Sequence, residues 1–210
     1  MRAITHNSFF ASTSIGTKTR KAEAGRLWLA LALLLALVMV LPLQAQAQNN
    51  YVYVNNQAAA NTVSAYSVSS SGSLTQLSGS PFSTGGVGAN VVCYGLNRIA
   101  LSPANNLLFV ANTGDRTISA FQINPATGGL TAVAGSPFPS QLTLDTCQGI
   151  SLAATPDGKF LMASSNGQIQ TFAIAANGAL SLSGTTANCC SPNASMVVSP
   201  NGQFLAVSNE

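Results

Sequence analysis

The sequence predicts an all-β protein built from four-stranded antiparallel blades, the unit of a β-propeller. Three phrases predict it, each returning in fixed order about every fifty residues, the mark of a repeat architecture. The first is Ile99-Ala-Leu-Ser-Pro-Ala-Asn-Asn-Leu-Leu-Phe-Val-Ala-Asn112, which returns from Ile150 to Ser165 and from Met196 to Asn209. The second is Ile118-Ser-Ala-Phe-Gln-Ile123, echoed by Val63–Val68 and Ile169–Ile174. The third is Gly79-Ser-Pro-Phe82, echoed by Gly135-Ser-Pro-Phe138. Four short strands bounded by turn residues fit one repeat of this length, as in a propeller blade.

Residues 1–47 read as a signal peptide and 48–210 as the propeller domain. Arg20, Lys21 and Arg26 precede a nearly unbroken apolar run from Leu27 to Leu43. Pro42 interrupts the run, and Ala45-Gln46-Ala47 meets the small-residue rule for cleavage near Ala47. The expected location is therefore secreted, periplasmic or on the cell surface. The alternative is an uncleaved anchor, because the run approaches the ~20 residues that span a bilayer. Only that anchor would bring the chain to a membrane.

Blade one is expected over about 50–90 and opens on the second strand of a unit, because Tyr51-Val-Tyr-Val54 aligns with Leu108-Phe-Val110. Blade two, about 95–140, is the clearest. Its strands are expected at Arg98–Leu101, Leu107–Ala111, Thr117–Ile123 and Leu130–Ala134. The second of these is apolar throughout, so both its faces are expected to be buried. Blade three follows over about 147–187 and the start of blade four over about 194–210, giving thirteen strands in all. Asp157-Gly158, Asn201-Gly202 and Asn177-Gly178 are expected to close tight type I′ hairpins. The chain stops in mid-repeat, which suggests a fragment. The missing inner strand of blade one would come from further along the chain as a closing clasp. The recurring aromatics Tyr51, Tyr53, Tyr66, Phe109, Phe121, Phe160, Phe172 and Phe204 are expected to pack between blades.

Charge excludes one class of partner. Without the leader only Arg98, Arg116 and Lys159 remain against Asp115, Asp145, Asp157 and Glu210, a net charge of −1. No basic patch is left to neutralise phosphates, so nucleic acid is not an expected partner. A small molecule or a protein or cell-surface partner is. Arg98, at the mouth of an inner strand, could hold a carboxylate or polarise a carbonyl. Asp145, in the equivalent loop of blade three, is the other ligand-binding candidate and could act as a base or a metal ligand, though one carboxylate makes no metal site. Asp115-Arg116 reads as a turn or local ion pair, and Asp157 and Lys159 as hairpin scaffold. Cys93, Cys147, Cys189 and Cys190 all fall in loops entering an inner strand. In an exported protein an even count suggests disulfides, for example Cys93 to Cys147 with a vicinal bridge at Cys189-Cys190. Their spacing matches no zinc pattern, and neither a metal nor a cofactor is expected.

Ser-Pro-(Asp/Asn)-Gly-(Lys/Gln)-Phe-Leu, at 199–205 and nearly at 155–161, leads into phrases of the Val-Ala-Asn and Val-Ser-Asn kind. Asn61-Thr-Val-Ser-Ala-Tyr-Ser-Val68 leads into Gly72-Ser-Leu-Thr-Gln-Leu-Ser-Gly-Ser-Pro-Phe82. These segments resemble the seven-bladed lactonase-type propellers, which include 6-phosphogluconolactonases of propeller type and YVTN-repeat surface proteins. The resemblance implies seven blades, of which three to three and a half are present here. It implies a central funnel reached from the loops entering each inner strand, with His and Arg there in the enzymes. The matching positions read Asn97-Arg98, Gln148-Gly149 and Ala194-Ser195, and the one histidine, His6, lies in the leader. No catalytic residue carries over. Ligand or partner binding through the loop face is the expected function, with hydrolysis of a carbohydrate-type lactone as the alternative.

Overall fold

The computed structural model describes residues 50–89, 97–144, 149–190 and 194–208, within a compact unit spanning Gln48–Glu210. The leader, Cys93, Asp145 and Cys147 lie outside the described residues. Among the described residues fifteen strands form four successive antiparallel sheets, with one short 3-10 turn between strands. Blade one holds β1 (Asn50–Asn55), β2 (Thr62–Val68), β3 (Leu74–Gln76) and β4 (Phe82–Ser83). Blade two holds β5 (Ile99–Ser102), β6 (Leu107–Asn112), β7 (Thr117–Ile123), β8 (Leu130–Ala132) and β9 (Phe138–Pro139). Blade three holds β10 (Ser151–Ala154), β11 (Phe160–Ser165), β12 (Gln168–Ile174) and β13 (Leu180–Ala187). Blade four begins with β14 (Met196–Val198) and β15 (Leu205–Val207).

The core lies between blades. Every residue of β6 is buried. Alternation sends Leu107, Phe109 and Ala111 towards blade three, where they join Ile150, Leu152, Leu161, Ala163 and Phe172. Leu108 and Val110 face blade one and join Val63, Phe121 and the partly buried Tyr53. β11 repeats the arrangement, with Leu161 and Ala163 on one side and Met162 against Met196 on the other. Phe109, Phe121 and Phe172 are packed as expected. Phe160 and Phe204, each next to a first hairpin, are exposed instead. Tyr51 and Tyr53 are half-buried and tie blades together through their tips: the hydroxyls donate to the carbonyls of Ala126 and Gly128, both at 2.8 Å.

Two extra strands arise because the outer strand of blades one and two is broken. After β3 and β8 the chain kinks through Gly79 and Gly135, at φ 81 and 85, and the Ser80–Pro81 and Ser136–Pro137 bonds are cis. The ladder position lost at the kink is filled by a side chain. Ala65 N–H donates to Ser80 Oγ at 2.9 Å, and Ala120 N–H to Ser136 Oγ at 3.0 Å. The Gly-Ser-Pro-Phe phrase is thus a splice that keeps the backbone donors of β2 and β7 satisfied. Blade three lacks the phrase, and its outer strand runs unbroken for eight residues, with a register shift opposite Thr171/Phe172.

The hairpins also differ from expectation. Gly158, Gly178 and Gly202 take positive φ, but Asp157, Asn177 and Asn201 do not, so these are not type I′ turns. Gly158 N–H donates to Thr155 O at 3.0 Å and Gly202 N–H to Ser199 O at 2.8 Å. Proline second and glycine fourth is the type I pattern. Asp157 and Asn201 instead spend their side chains on the turn: each Oδ1 accepts the hydroxyl two residues before it and the N–H two residues after it.

A buried polar network joins blades one and two. Asn61 Nδ2 donates to Asn112 Oδ1 at 2.8 Å, and Asn112 Nδ2 donates to Ser119 Oγ at 2.8 Å. Ser119 Oγ donates to Thr84 O at 2.7 Å, and Thr84 Oγ1 donates to Asn61 O at 3.0 Å, closing the circuit. Gly86 abuts it: a Cβ there would stand 2.3 Å from Asn112 Nδ2 and 2.8 Å from Asn112 Cβ. Gly86→Ala is expected to cost about 1–3 kcal/mol by overpacking, lowering the urea midpoint of the full chain. Asn112→Ser added to Gly86→Ala should restore part of the loss, and a strictly additive pair of effects would refute the clash. Phe109→Ala, which empties the interface between blades two and three, is expected to cost about 3–5 kcal/mol in the same assay.

Candidate functional site

Two kinds of segment meet on the loop face: the linkers that enter inner strands, and the turns that join second to third strands. Arg98 stands one residue before β5 and is half-buried. Its carbonyl accepts Ala111 N–H at 3.0 Å and Asn55 Nδ2 at 3.2 Å, which holds its backbone between blades one and two. Ala111 O in turn accepts amide groups from Asn55 at 3.0 Å and Gln57 at 2.8 Å. These bonds fix the backbone of Arg98 at the strand mouth.

Its neighbour Asn97 has a larger reach. The Asn97 carbonyl accepts Leu152 N–H of β10 at 2.7 Å, and its Nδ2 donates to Met196 O of β14 at 3.2 Å. One residue thus joins the inner strands of blades two, three and four. Asn97 also lines a cavity of about 370 Å³ with Ser195, Met196, Val197, Ala206, Val207 and Ser208. The lining is mostly apolar. Ser208 Oγ accepts Ser195 N–H at 2.9 Å, so that hydroxyl is engaged with the backbone. Arg98 is not among the lining residues. The sequence singled out Arg98 at this strand mouth, and the amide beside it is the one that lines the cavity. Asn97 stands at the position where the resemblance implies histidine in the enzymes.

The other candidates separate into scaffold and thiols. Asp115 caps its own turn: Oδ2 accepts Val87 N–H at 2.9 Å and Oδ1 accepts Thr117 Oγ1–H at 2.8 Å. It is a turn residue, not an ion-pair partner of Arg116. Asp157 is exposed, and the Thr155 hydroxyl, then the Lys159 N–H, hold its carboxyl below the usual range, with the Lys159 ammonium at 3.4 Å. Together with Pro156, Phe160 and Pro200 it borders a depression of about 430 Å³ between the first hairpins of blades three and four. Cys189 and Cys190 are free thiols with sulfurs 2.6 Å apart. Among the described residues no group of three His, Cys, Asp or Glu comes together as a metal site would need.

Comparison with known proteins gives the family. The model of the family described as lactonase, seven-bladed β-propeller, matches residues 95–210. No curated protein matches the chain. A protein of Bacteroides uniformis assigned provisionally as a 6-phosphogluconolactonase superposes with a TM-score of 0.54 at 20% identity, over 80% of this chain and 48% of its own. The periplasmic gluconolactonase of Pseudomonas aeruginosa does so with 0.51 at 19%, over 79% and 48%. A Lactobacillus plantarum protein gives 0.50 at 20%, over 80% and 50%. This chain thus spans about half the length of these structures, and at such identities they speak for the fold alone. With the family match covering more than half of the sequence, the chain belongs to the lactonase family of seven-bladed β-propellers.

Proposed function

We propose that this is an exported propeller protein that binds a small polar ligand at its loop face, where the inner strands begin. The observation that carries the reading is Asn97, which bonds to the inner strands of blades three and four and lines a cavity against the blade-four hairpin, while Arg98 stands at the same strand mouth. A concave site with an apolar wall and a few fixed polar groups is what small-ligand pockets look like. An adjacent guanidinium favours a carboxylate-bearing ligand. Export rests on the leader: the basic residues, the apolar run and Ala45-Gln46-Ala47.

Family membership favours a second reading, hydrolysis of a sugar-type lactone. The sequence from 48 to 210 holds no histidine, and a carboxylate such as Asp145 is the base this reading would draw from the stretch. Both readings meet in one pair of measurements on the full chain. Gluconate is titrated calorimetrically, and glucono-1,5-lactone is followed by proton release at constant pH. The binding reading expects saturable gluconate heat and lactone loss at the buffer rate. Arg98→Ala should weaken gluconate at least about tenfold, the weight of one charged hydrogen bond. Asn97→Ala should weaken it too while lowering thermal stability, by about 0.5–1.5 kcal/mol for the lost bond to Met196. Catalysed proton release that falls in Arg98→Ala would replace binding by hydrolysis. Neither heat nor proton release would end both readings for this ligand class.

A further inference from the structure

The chain leaving blade three carries two cysteines in succession, held in place by the blade itself. Asn188 takes φ 56, in the left-handed region, and turns the chain away from β13. Cys189 N–H then donates to Gly167 O at 3.1 Å, and the Cys189 thiol donates to the same carbonyl at 3.4 Å. Gly167 sits between β11 and β12 at φ 73, and a Cβ there would stand 3.3 Å from Cys190 O. The cysteine turn thus rests directly on that hairpin, and the two sulfurs are in contact at 2.6 Å. Cys189 is exposed and Cys190 half-buried.

We propose that Cys189 and Cys190 form a reversible redox site, closing to a vicinal disulfide by exchange with a small external disulfide and reopening in excess thiol. The exposed Cys189, as thiolate, attacks one sulfur of the external disulfide. A mixed disulfide forms on Cys189 and the first small thiolate leaves, taking a proton from water. Cys190 then gives its proton to solvent and attacks Cys189 Sγ, expelling the second small thiol. The pair loses two electrons and two protons, and the external disulfide is reduced to two thiols. The order follows from access, and burial together with the Cys189 sulfur pushes the Cys190 thiol up to about 12, which keeps it protonated until its partner is activated. Neighbouring Cα atoms lie ~3.8 Å apart, below the usual ~4.4–6.8 Å of bridged cysteines, so the closed ring is strained and easily reduced. Labile bridges of that kind serve regulation more readily than structure.

The test uses the full chain incubated with oxidised glutathione, alkylated and cut with trypsin. No Lys or Arg follows Lys159 through Glu210, so the peptide beginning at Phe160 contains Cys189 and Cys190 and neither Cys93 nor Cys147. The expected peptide is lighter by two hydrogens and resists alkylation, and mild dithiothreitol restores two alkylation sites. Cys190→Ser should stop at one glutathione on Cys189. Two alkylated cysteines, two glutathione adducts, or a link to a Cys93 or Cys147 peptide would overturn the proposal. So would a Cys190→Ser protein that takes up no glutathione at Cys189.

Discussion

A strand buried on both faces cannot be satisfied within its own sheet, and everything else in this molecule answers to that. β6 has no solvent side: its odd and even residues serve two different interfaces. A single blade would leave both of those rows in water, at roughly 25 cal/mol for each Å² of apolar surface exposed. Blades are therefore stable only as neighbours, and each new blade must present the same apolar row at the same place. That is why the phrases recur with so little drift, and why the inner-strand mouths line up on one face.

The two interfaces around blade two solve the same packing task with different chemistry. Between blades one and two, Asn112 and Ser119 carry a closed polar circuit, and Gly86 makes room for it. At the corresponding places of the next interface stand Ser165, Gln170 and Leu142. The amide has moved from the second strand to the third, where Gln170 Oε1 accepts Gln141 N–H at 3.1 Å. The space released beside a small serine suits a leucine, and Leu142 is fully buried in the apolar cluster. Volume and polarity are conserved by the group, not by any one residue.

Local periodicity made the strands legible. Thr117–Ile123 agrees with expectation at both ends, and the doubly buried second strand follows from its unbroken apolar run. What escaped depends on partners distant in sequence or on torsions that a residue type only permits. Asp-Gly and Asn-Gly tolerate a I′ turn, but Thr155 and Ser199 offered Asp157 and Asn201 a hydroxyl and the turns settled as type I. Phe160 was expected inside because its pattern matched a core position, yet it stands at the strand end, where hairpin geometry leaves it in water. At the candidate site the strand mouth was readable from the repeat. The bond from Asn97 to Met196 was not, since it exists only where three blades converge.

The splice in the outer strand has a meaning for life among other proteins. An outer strand is the rim of its sheet, and its free N–H and C=O groups form a template on which a foreign strand can add. In blades one and two that rim is cut into runs of three and two residues, with Pro139 inside the second run of blade two. Blade three offers eight continuous residues, nearly all exposed. The molecule is thus guarded unevenly. Among the described outer strands the least guarded is β13, the strand whose far end runs straight into the two cysteines.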